Sequence, residues 1–272
     1  MHWWEAVLLG LIQGLTEFLP VSSSGHLVLA QHLLGLSPKG SHNVTFDVFV
    51  HFGTAMSILT VYRHRILEIL TETLRALGKP AQLPRQYHTN ETFRTACFIL
   101  LTMIPTGITY ILFKDFLEAR FSDPRFTCAM LLVTGTLLLL TQLRKNPSGP
   151  ITPIKALLIG VAQSVAMLPG ISRSGSTICA ALYQNVTPQR AADFSFLMLL
   201  PVVIGATLIK GMEVLQTGIE ISWTNFGIGA IVAYASGILA IKVAIEFVRR
   251  GNLRYFAYYC FVVGALGLWL IT

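Results

Sequence analysis

Apolar residues run along this chain in stretches too long for the interior of a water-soluble domain. Crossing a bilayer core takes about 20 apolar residues in helical form. Six stretches meet or approach that length: 44–62, 95–113, 126–143, 194–210, 226–247 and 255–271. Two further apolar regions are broken. Residues 3–36 are interrupted by Pro20 and the polar run Ser22, Ser23, Ser24, Gly25, His26. Residues 154–184 are interrupted by Pro169, Gly170 and the run Ser172, Arg173, Ser174, Gly175, Ser176. The arms beside each break have only about 9–17 residues, too few to cross at 1.5 Å per residue.

The two broken regions match one another. Gly10 and Gly160, Gln13 and Gln163, Ser22 and Ser172, Ser24 and Ser174, and Gly25 and Gly175 all lie 150 residues apart. The chain therefore reads as one membrane domain, 1–272, made of two repeats near 1–150 and 151–272, joined at the polar linker RKNPSGPITP, 144–153. Broken helices at corresponding positions of two halves point to a binding site where the halves meet. If each broken region is a re-entrant helical hairpin, each half keeps three full spans and the repeat must be inverted. The expected fold is all-α: six transmembrane helices, two re-entrant hairpins and an inverted-topology repeat.

Charge placement favours the hairpins. With them, one side carries Arg63, Arg65, Arg75, Lys79, Arg85, Arg94, Arg144, Lys145, Lys155, Arg190, Lys242, Arg249, Arg250 and Arg254; the other carries Lys39, Lys114, Arg120, Arg125 and Lys210, which is 14 against 5. With two full spans in place of the hairpins the split becomes 10 against 9. Basic residues concentrate on the cytoplasmic side, so the hairpin reading puts both termini outside, with the first hairpin entering from outside and the second from inside. Composition fits a membrane protein: 53% hydrophobic, 12% charged, mean hydropathy +0.63. A soluble domain carries about 25% charged residues, so a soluble enzyme, a nucleic-acid-binding module and a disordered chain are all excluded. The net charge of +7 then reflects cytoplasmic loops rather than nucleic acid. Cys97, Cys128, Cys179 and Cys260 sit in apolar stretches without CxxC spacing and read as core. The first apolar run has neither a basic leader nor a small-residue cleavage site, so it is expected to stay in the mature protein.

The breaks carry the chemistry. In QGLTEFLPVSSSGH, 13–26, Gln13 and Glu17 share a helix face. A charge at mid-span costs about 2.5–3.5 kcal/mol on insertion scales, so an intramembrane Glu17 is a functional candidate. Pro20 ends the first arm, and a helix restarting in SSSGH would aim its N-terminal N–H groups at an anion. Ser23 and His26 are three apart, spacing that suits a hydroxyl beside a base. In PGISRSGST, 169–177, Arg173 stands among hydroxyls at a helix start, a set suited to phosphate. If the two tips meet, Arg173 faces Glu17, Ser23 and His26.

These two motifs resemble the signatures of the undecaprenyl-diphosphatase family, the bacterial bacitracin-resistance phosphatases. Gln13 and Glu17 match its Glu/Gln-x-x-x-Glu pattern, and 169–177 matches PGxSRSGxT throughout. The resemblance implies hydrolysis of undecaprenyl diphosphate to the monophosphate, which recycles the lipid carrier of cell-wall synthesis. It implies a divalent cation, Mg2+ or Ca2+, with Glu17 in metal or water handling and Gln13 as a second, supporting position. Glu17, Ser23, His26 and Arg173 are the expected catalytic residues, with Ser23 the favoured nucleophile and Arg173 the phosphate binder. Gln13, Ser22, Ser24, Ser172, Ser174 and Thr177 are the expected substrate contacts. The expected location is the bacterial inner membrane, with the active-site opening on the outer, periplasmic side. Membrane lipids are expected partners and nucleic acid is not; the sequence leaves the oligomeric state open between monomer and homodimer.

Blander readings stand beside these. Glu17 could be only the ion partner of Arg173, His26 a plain helix-start residue, and the flanking serines backbone caps. Asp47 and His51, four apart in an apolar span, read first as a hydrogen-bonded pair at a helix interface and second as neighbours of the site. Lys242 and Glu246 read as snorkelling to the cytoplasmic edge. The stretch 63–94 reads as a polar cytoplasmic segment with amphipathic helix on acidic headgroups. As to activity, a transporter or flippase of a prenyl phosphate would use the same arginine and the same inverted repeat, but needs no nucleophile and base. Type 2 phosphatidic acid phosphatases share the Ser24-Gly25-His26 order, but their other motifs do not occur here.

Overall fold

The structure is a computed structural model that describes residues 1–36, 41–144, 146–217 and 222–271; the side chains of 41–44, 210, 211 and 213–217 fall outside it, as do Lys39, Lys145 and Glu220 altogether. The described residues form helices joined by turns and short extended segments, with one isolated bridge between Gly149 and Val186. In order the helices are α1 (Trp3–Phe18), α2 (Ser23–Leu33), α3 (Ser41–Val61), α4 (Arg63–Leu77), α5 (Leu83–Thr89), α6 (Glu91–Arg120), α7 (Pro124–Leu140), α8 (Pro153–Val165), α9 (Arg173–Tyr183), α10 (Pro188–Leu197), α11 (Leu199–Thr217), α12 (Trp223–Arg249) and α13 (Arg254–Leu270).

Four segments are long and apolar enough to cross a bilayer: Glu91–Arg120, Pro124–Leu143, Pro188–Ile209 and Trp223–Arg249. Thr45–Val61 meets Arg63–Leu77 at an 83° bend and gives a fifth crossing if the pair is one span. The last expected stretch, 255–271, becomes α13 with 17 residues, roughly 25 Å of helix against a core of about 30 Å. The protein is an all-α, multi-pass membrane protein, and length and apolarity account for four or five of the six expected crossings. Segment 63–94 supplies α4, whose Leu67, Leu70, Leu74 and Leu77 stay exposed at helical spacing while Ala76 is its one buried residue among those described.

Both broken regions fold as hairpins whose ends return together. For α8 and α9 the ends are tied by backbone bonds: Gly149 N–H donates to the Asn185 carbonyl at 2.7 Å, and Thr187 N–H to that of Gly149 at 3.1 Å. Gln142 donates to the carbonyl of Gly251 at 3.2 Å, so this hairpin opens at the end of α12. For α1 and α2, Met1 packs in one apolar cluster with Leu34 and Leu36, and Asn225 donates to the carbonyl of Met1 at 2.8 Å. This hairpin opens at the start of α12. A helix of 27 residues, about 40 Å long, separates the two openings, so the hairpins point toward one another from opposite ends of α12.

Glycine makes the packing close. A Cβ on Gly10 would stand 2.5 Å from the carbonyl oxygen of Gly229, so α1 lies directly on α12; a Cβ on Gly160 would stand 2.8 Å from the Cα of Thr102, so α8 lies on α6. Such small-residue contacts let helix backbones approach in lipid. Cys128, Cys179 and Cys260 are buried, Cys97 is partly so, and all four are free thiols.

Candidate active site

Each hairpin tip is made by a proline or glycine break followed by a serine-capped helix. Ahead of Pro20, Leu19 is extended (φ −66°, ψ 139°), as a residue before proline must be, and α1 stops. Ser22 takes φ +71°, and its hydroxyl accepts the N–H of Gly25 at 3.2 Å to cap α2. At the second tip Gly170 holds φ +94°, and a Cβ there would collide with the carbonyl of Thr127. Ser172 caps α9 by accepting the N–H of Gly175 at 3.0 Å. Thr134 on α7 clamps this break, donating to the Gly170 carbonyl at 2.8 Å and accepting the N–H of Ser172 at 3.0 Å. The tips touch: a Cβ on Gly25 would sit 3.1 Å from the Cα of Gly170, and one on Gly175 3.3 Å from Pro20.

Contact between the tips brings Glu17 to Arg173 across 156 residues of sequence. The Nη2 of Arg173 donates to Oε1 of Glu17 at 2.8 Å, and its Nη1 to the carbonyl of Ser195 at 2.8 Å. The other carboxylate oxygen, Oε2, accepts from Ser23 Oγ at 2.6 Å and from Gln13 Nε2 at 2.9 Å. His51 Nε2 lies 3.8 Å from the same oxygen. Glu17 is 6% exposed and the side chain of Arg173 15%, so this is a nearly dry charge pair, strong because both charges are held by further hydrogen bonds.

The remaining candidates divide by exposure. Ser23, Ser24, His26 and Arg173 are half-buried. Gln13, Ser22, Ser172, Ser174 and Thr177 are buried. Ser22 and Ser172 are spent as caps. Ser174 donates to the carbonyl of Leu19 at 3.3 Å, stitching one tip to the other. Thr177 bonds the Arg173 carbonyl at 2.8 Å and the Ser195 hydroxyl at 2.6 Å. Ser24 lies 3.3 Å from the Ser22 hydroxyl. His26 does not face Ser23: its Nδ1 bonds the carbonyl of Ser22 at 2.7 Å and its Nε2 the hydroxyl of Tyr259 at 2.8 Å. The hydroxyl–base contact expected from their spacing is made instead by Ser23 and Glu17.

The model of the family described as bacitracin resistance protein BacA matches residues 6–266. The chain belongs to the BacA family. It is 59% identical over 271 residues to a protein of Salinibacter ruber named undecaprenyl-diphosphatase, with both chains covered completely. It is 42% identical to one of that name from Halothermothrix orenii, over 98% of this chain and 97% of that one. An undecaprenyl-diphosphatase of Bacteroides fragilis is 40% identical over 98% of this chain and 97% of its own.

In this BacA chain the structure adds three groups that the motifs do not contain: His51, Ser195 and Tyr259. His51 bonds the backbone carbonyl of Asp47 through Nδ1 at 2.7 Å, while the Asp47 carboxylate accepts from Gln31 at 2.9 Å. The expected hydrogen-bonded pair of Asp47 and His51 thus forms through the Asp47 backbone carbonyl rather than its carboxylate, and His51 turns its other nitrogen to Glu17. Glu246 pairs with Arg249 and Arg250 at 2.6 and 2.5 Å and Lys242 is exposed, as an edge position requires.

As to a metal, no cluster of three or more His, Cys, Asp or Glu occurs among the described residues, so these residues supply only part of a coordination shell. The donors that do exist fit a hard cation. The Oε1 of Gln13 is buried without a hydrogen-bond partner, an acceptor beside the Glu17 carboxylate. Mg2+ and Ca2+ take oxygen ligands, and Mg2+ commonly uses one or two carboxylates and leaves the rest to substrate phosphates and water.

Proposed function

We propose that this protein hydrolyses undecaprenyl diphosphate to undecaprenyl phosphate and inorganic phosphate at the meeting point of its two hairpins. The observation that carries this reading is the single Glu17 carboxylate holding the Ser23 hydroxyl on one oxygen and the Arg173 guanidinium on the other. A prenyl-phosphate carrier would use the arginine but has no need of a hydroxyl held on a carboxylate.

The chemistry is set by which group faces which. Arg173 and the starts of α2 and α9 attract the diphosphate. Glu17 accepts the Ser23 proton as Oγ attacks the terminal phosphorus. The new Oγ–P bond replaces the anhydride P–O bond, and undecaprenyl phosphate departs. Water then attacks the phosphoserine, Ser23 recovers its proton from Glu17 as Oγ departs, and inorganic phosphate leaves carrying the oxygen and both protons of the water. Gln13 and Glu17 would hold a Mg2+ or Ca2+ ion, whose chemical contribution is to neutralise negative charge on the diphosphate. Ser22, Ser172, Ser174 and Thr177 support the site by fixing the tips.

Purified protein is expected to release phosphate from the C55 diphosphate, to stop with EDTA and to recover with Mg2+ or Ca2+. Full turnover in chelator would remove the cation from this reading; no turnover with any divalent ion would remove the reading itself.

The proposed setting is the bacterial inner membrane, with both termini and the opening of the site on the outer side. Supporting it, Arg144, Arg249 and Arg250 line one cleft together with Ser148, Leu182 and Pro188, at the ends of the second hairpin. In sealed right-side-out vesicles an impermeant thiol reagent is expected to label Arg125→Cys but not Arg85→Cys or Arg250→Cys. Outside labelling of Arg85→Cys would reverse the orientation.

A further inference from the structure

Two apolar spans end at one basic cleft. The span Pro124–Leu143 runs straight into Arg144, and the span Trp223–Arg249 into Arg250. Arg144, Arg249 and Arg250 line a cleft of about 580 Å³ together with Leu182, Val248 and Leu253, each of these three at most 5% exposed. Arginines at the ends of spans stand at the depth of lipid headgroups. Leu140 and Leu143 are exposed and carry the apolar surface of α7 up to the rim. The charges in the cleft do not cancel. Among its described lining residues there is neither Asp nor Glu. Glu246, one turn back on α12, bonds Arg249 at 2.6 Å and Arg250 at 2.5 Å, and so holds both guanidiniums in place. Three guanidiniums against that one carboxylate leave an excess of positive charge. Arg144 is exposed and has no ion partner among the described residues. A bias of basic residues toward one side of a membrane would scatter arginines over that side, but it does not gather three of them around an apolar floor.

We propose that this cleft binds the head of an anionic phospholipid. Its phosphodiester sits on the arginines, whose planar forks match phosphate oxygens, and its acyl chains run down α7 past Leu143 and Leu140. A soluble phosphate would need the arginines alone; the span ends and the exposed leucines beside them fit a lipid. A zwitterionic head would bring its own cation against the uncancelled arginines, so an anionic head is the better match. The cleft is separate from the Glu17–Arg173 site, because it lies at the ends of the second hairpin and Arg173 at the tip. Its walls come from the ends of α7, α9 and α12 and from Ser148 in the linker between the repeats. A lipid held there ties that linker to the second hairpin.

Native mass spectrometry of the delipidated full chain in detergent tests this with two lipids of identical chains, dioleoyl phosphatidylglycerol and dioleoyl phosphatidylcholine. Wild type is expected to bind the first about tenfold more tightly than the second. Arg144→Gln should weaken phosphatidylglycerol binding about tenfold, the worth of one charge-assisted hydrogen bond, and leave phosphatidylcholine unchanged. Arg250→Gln should act in the same direction. Arg85→Gln removes one charge from an exposed position on α5, outside the cleft, and should change neither. Phosphatidylglycerol should also raise the melting temperature of wild type more than that of Arg144→Gln. Unchanged phosphatidylglycerol affinity in both cleft variants, or an equal loss in Arg85→Gln, would overturn the site. Equal binding of the two lipids by wild type, a comparison that needs no variant to fold, would overturn recognition by charge. Displacement of phosphatidylglycerol by an equal concentration of glycerol phosphate would make the ligand a soluble phosphate and overturn the lipid. Tighter binding of undecaprenyl phosphate than of phosphatidylglycerol, lost in Arg144→Gln, would make the cleft a prenyl-phosphate site and overturn the phospholipid.

Discussion

Replacing Glu17 with glutamine is expected to lower kcat for undecaprenyl diphosphate by about 10²–10⁴-fold, the span of a lost general base. Glutamine matches the shape of glutamate and can still accept from Arg173 through its amide oxygen, so the hairpin tips should stay joined. It cannot, however, take the Ser23 proton across the 2.6 Å bond. The loss should fall on kcat, because only the transition state needs the proton moved. KM should hold or fall, since Arg173 is then no longer neutralised by a carboxylate and meets the diphosphate as a full charge. Steady-state kinetics on protein with wild-type elution and thermal melting would check this. Retention of more than about a tenth of wild-type kcat would exclude Glu17 as the base.

The backbone of this site was readable because its causes are local. Pro20 forces Leu19 out of helix, Gly170 takes a conformation that side chains resist, and Ser22 and Ser172 cap α2 and α9. Each effect acts within a few residues, so the two breaks could be placed from sequence, and the hairpins that the charge asymmetry favoured open at opposite ends of α12. The joining of Glu17 to Arg173 came out of the repeat. Less local matters were not legible. Which serine hydroxyls stay free depends on helix phase after the break, and the five hydroxyls among the six expected substrate contacts, those of Ser22, Ser24, Ser172, Ser174 and Thr177, all have partners within the protein. The i, i+3 spacing of Ser23 and His26 implied a pair, but the carboxylate from the preceding arm reaches Ser23 first. Ser195 sits between Phe194 and Phe196 near the end of α10, where a serine usually bonds its own helix, and its carbonyl matters only because α10 packs against α9. His51 and Tyr259 likewise acquire their roles from helices that pack beside the tips.

Arg173→Lys should separate charge from geometry. Arginine spans two acceptors at once, Glu17 Oε1 and the Ser195 carbonyl, both at 2.8 Å. A lysine ammonium is a compact point charge without the planar fork, so it can keep the charge at Glu17 but cannot brace α10 in the same way or present a second face to a phosphate. KM for the diphosphate is expected to rise about 10–100-fold, the worth of one or two charge-assisted hydrogen bonds. Arg173→Ala goes further, leaving the Glu17 carboxylate, 6% exposed, without its closest cation. Removing one member of a buried pair costs about 3–5 kcal/mol, so its melting temperature in detergent should fall clearly. Adding Glu17→Gln to Arg173→Ala removes the stranded charge, and it should restore much of the thermal stability while leaving turnover abolished. That opposite movement of stability and activity is the expected mark of a pair held together for chemistry. If Arg173→Lys keeps the wild-type KM, the fork is not what binds phosphate; if the double variant is no more stable than Arg173→Ala, the carboxylate was not stranded and the ion pair contributes little to joining the two hairpins.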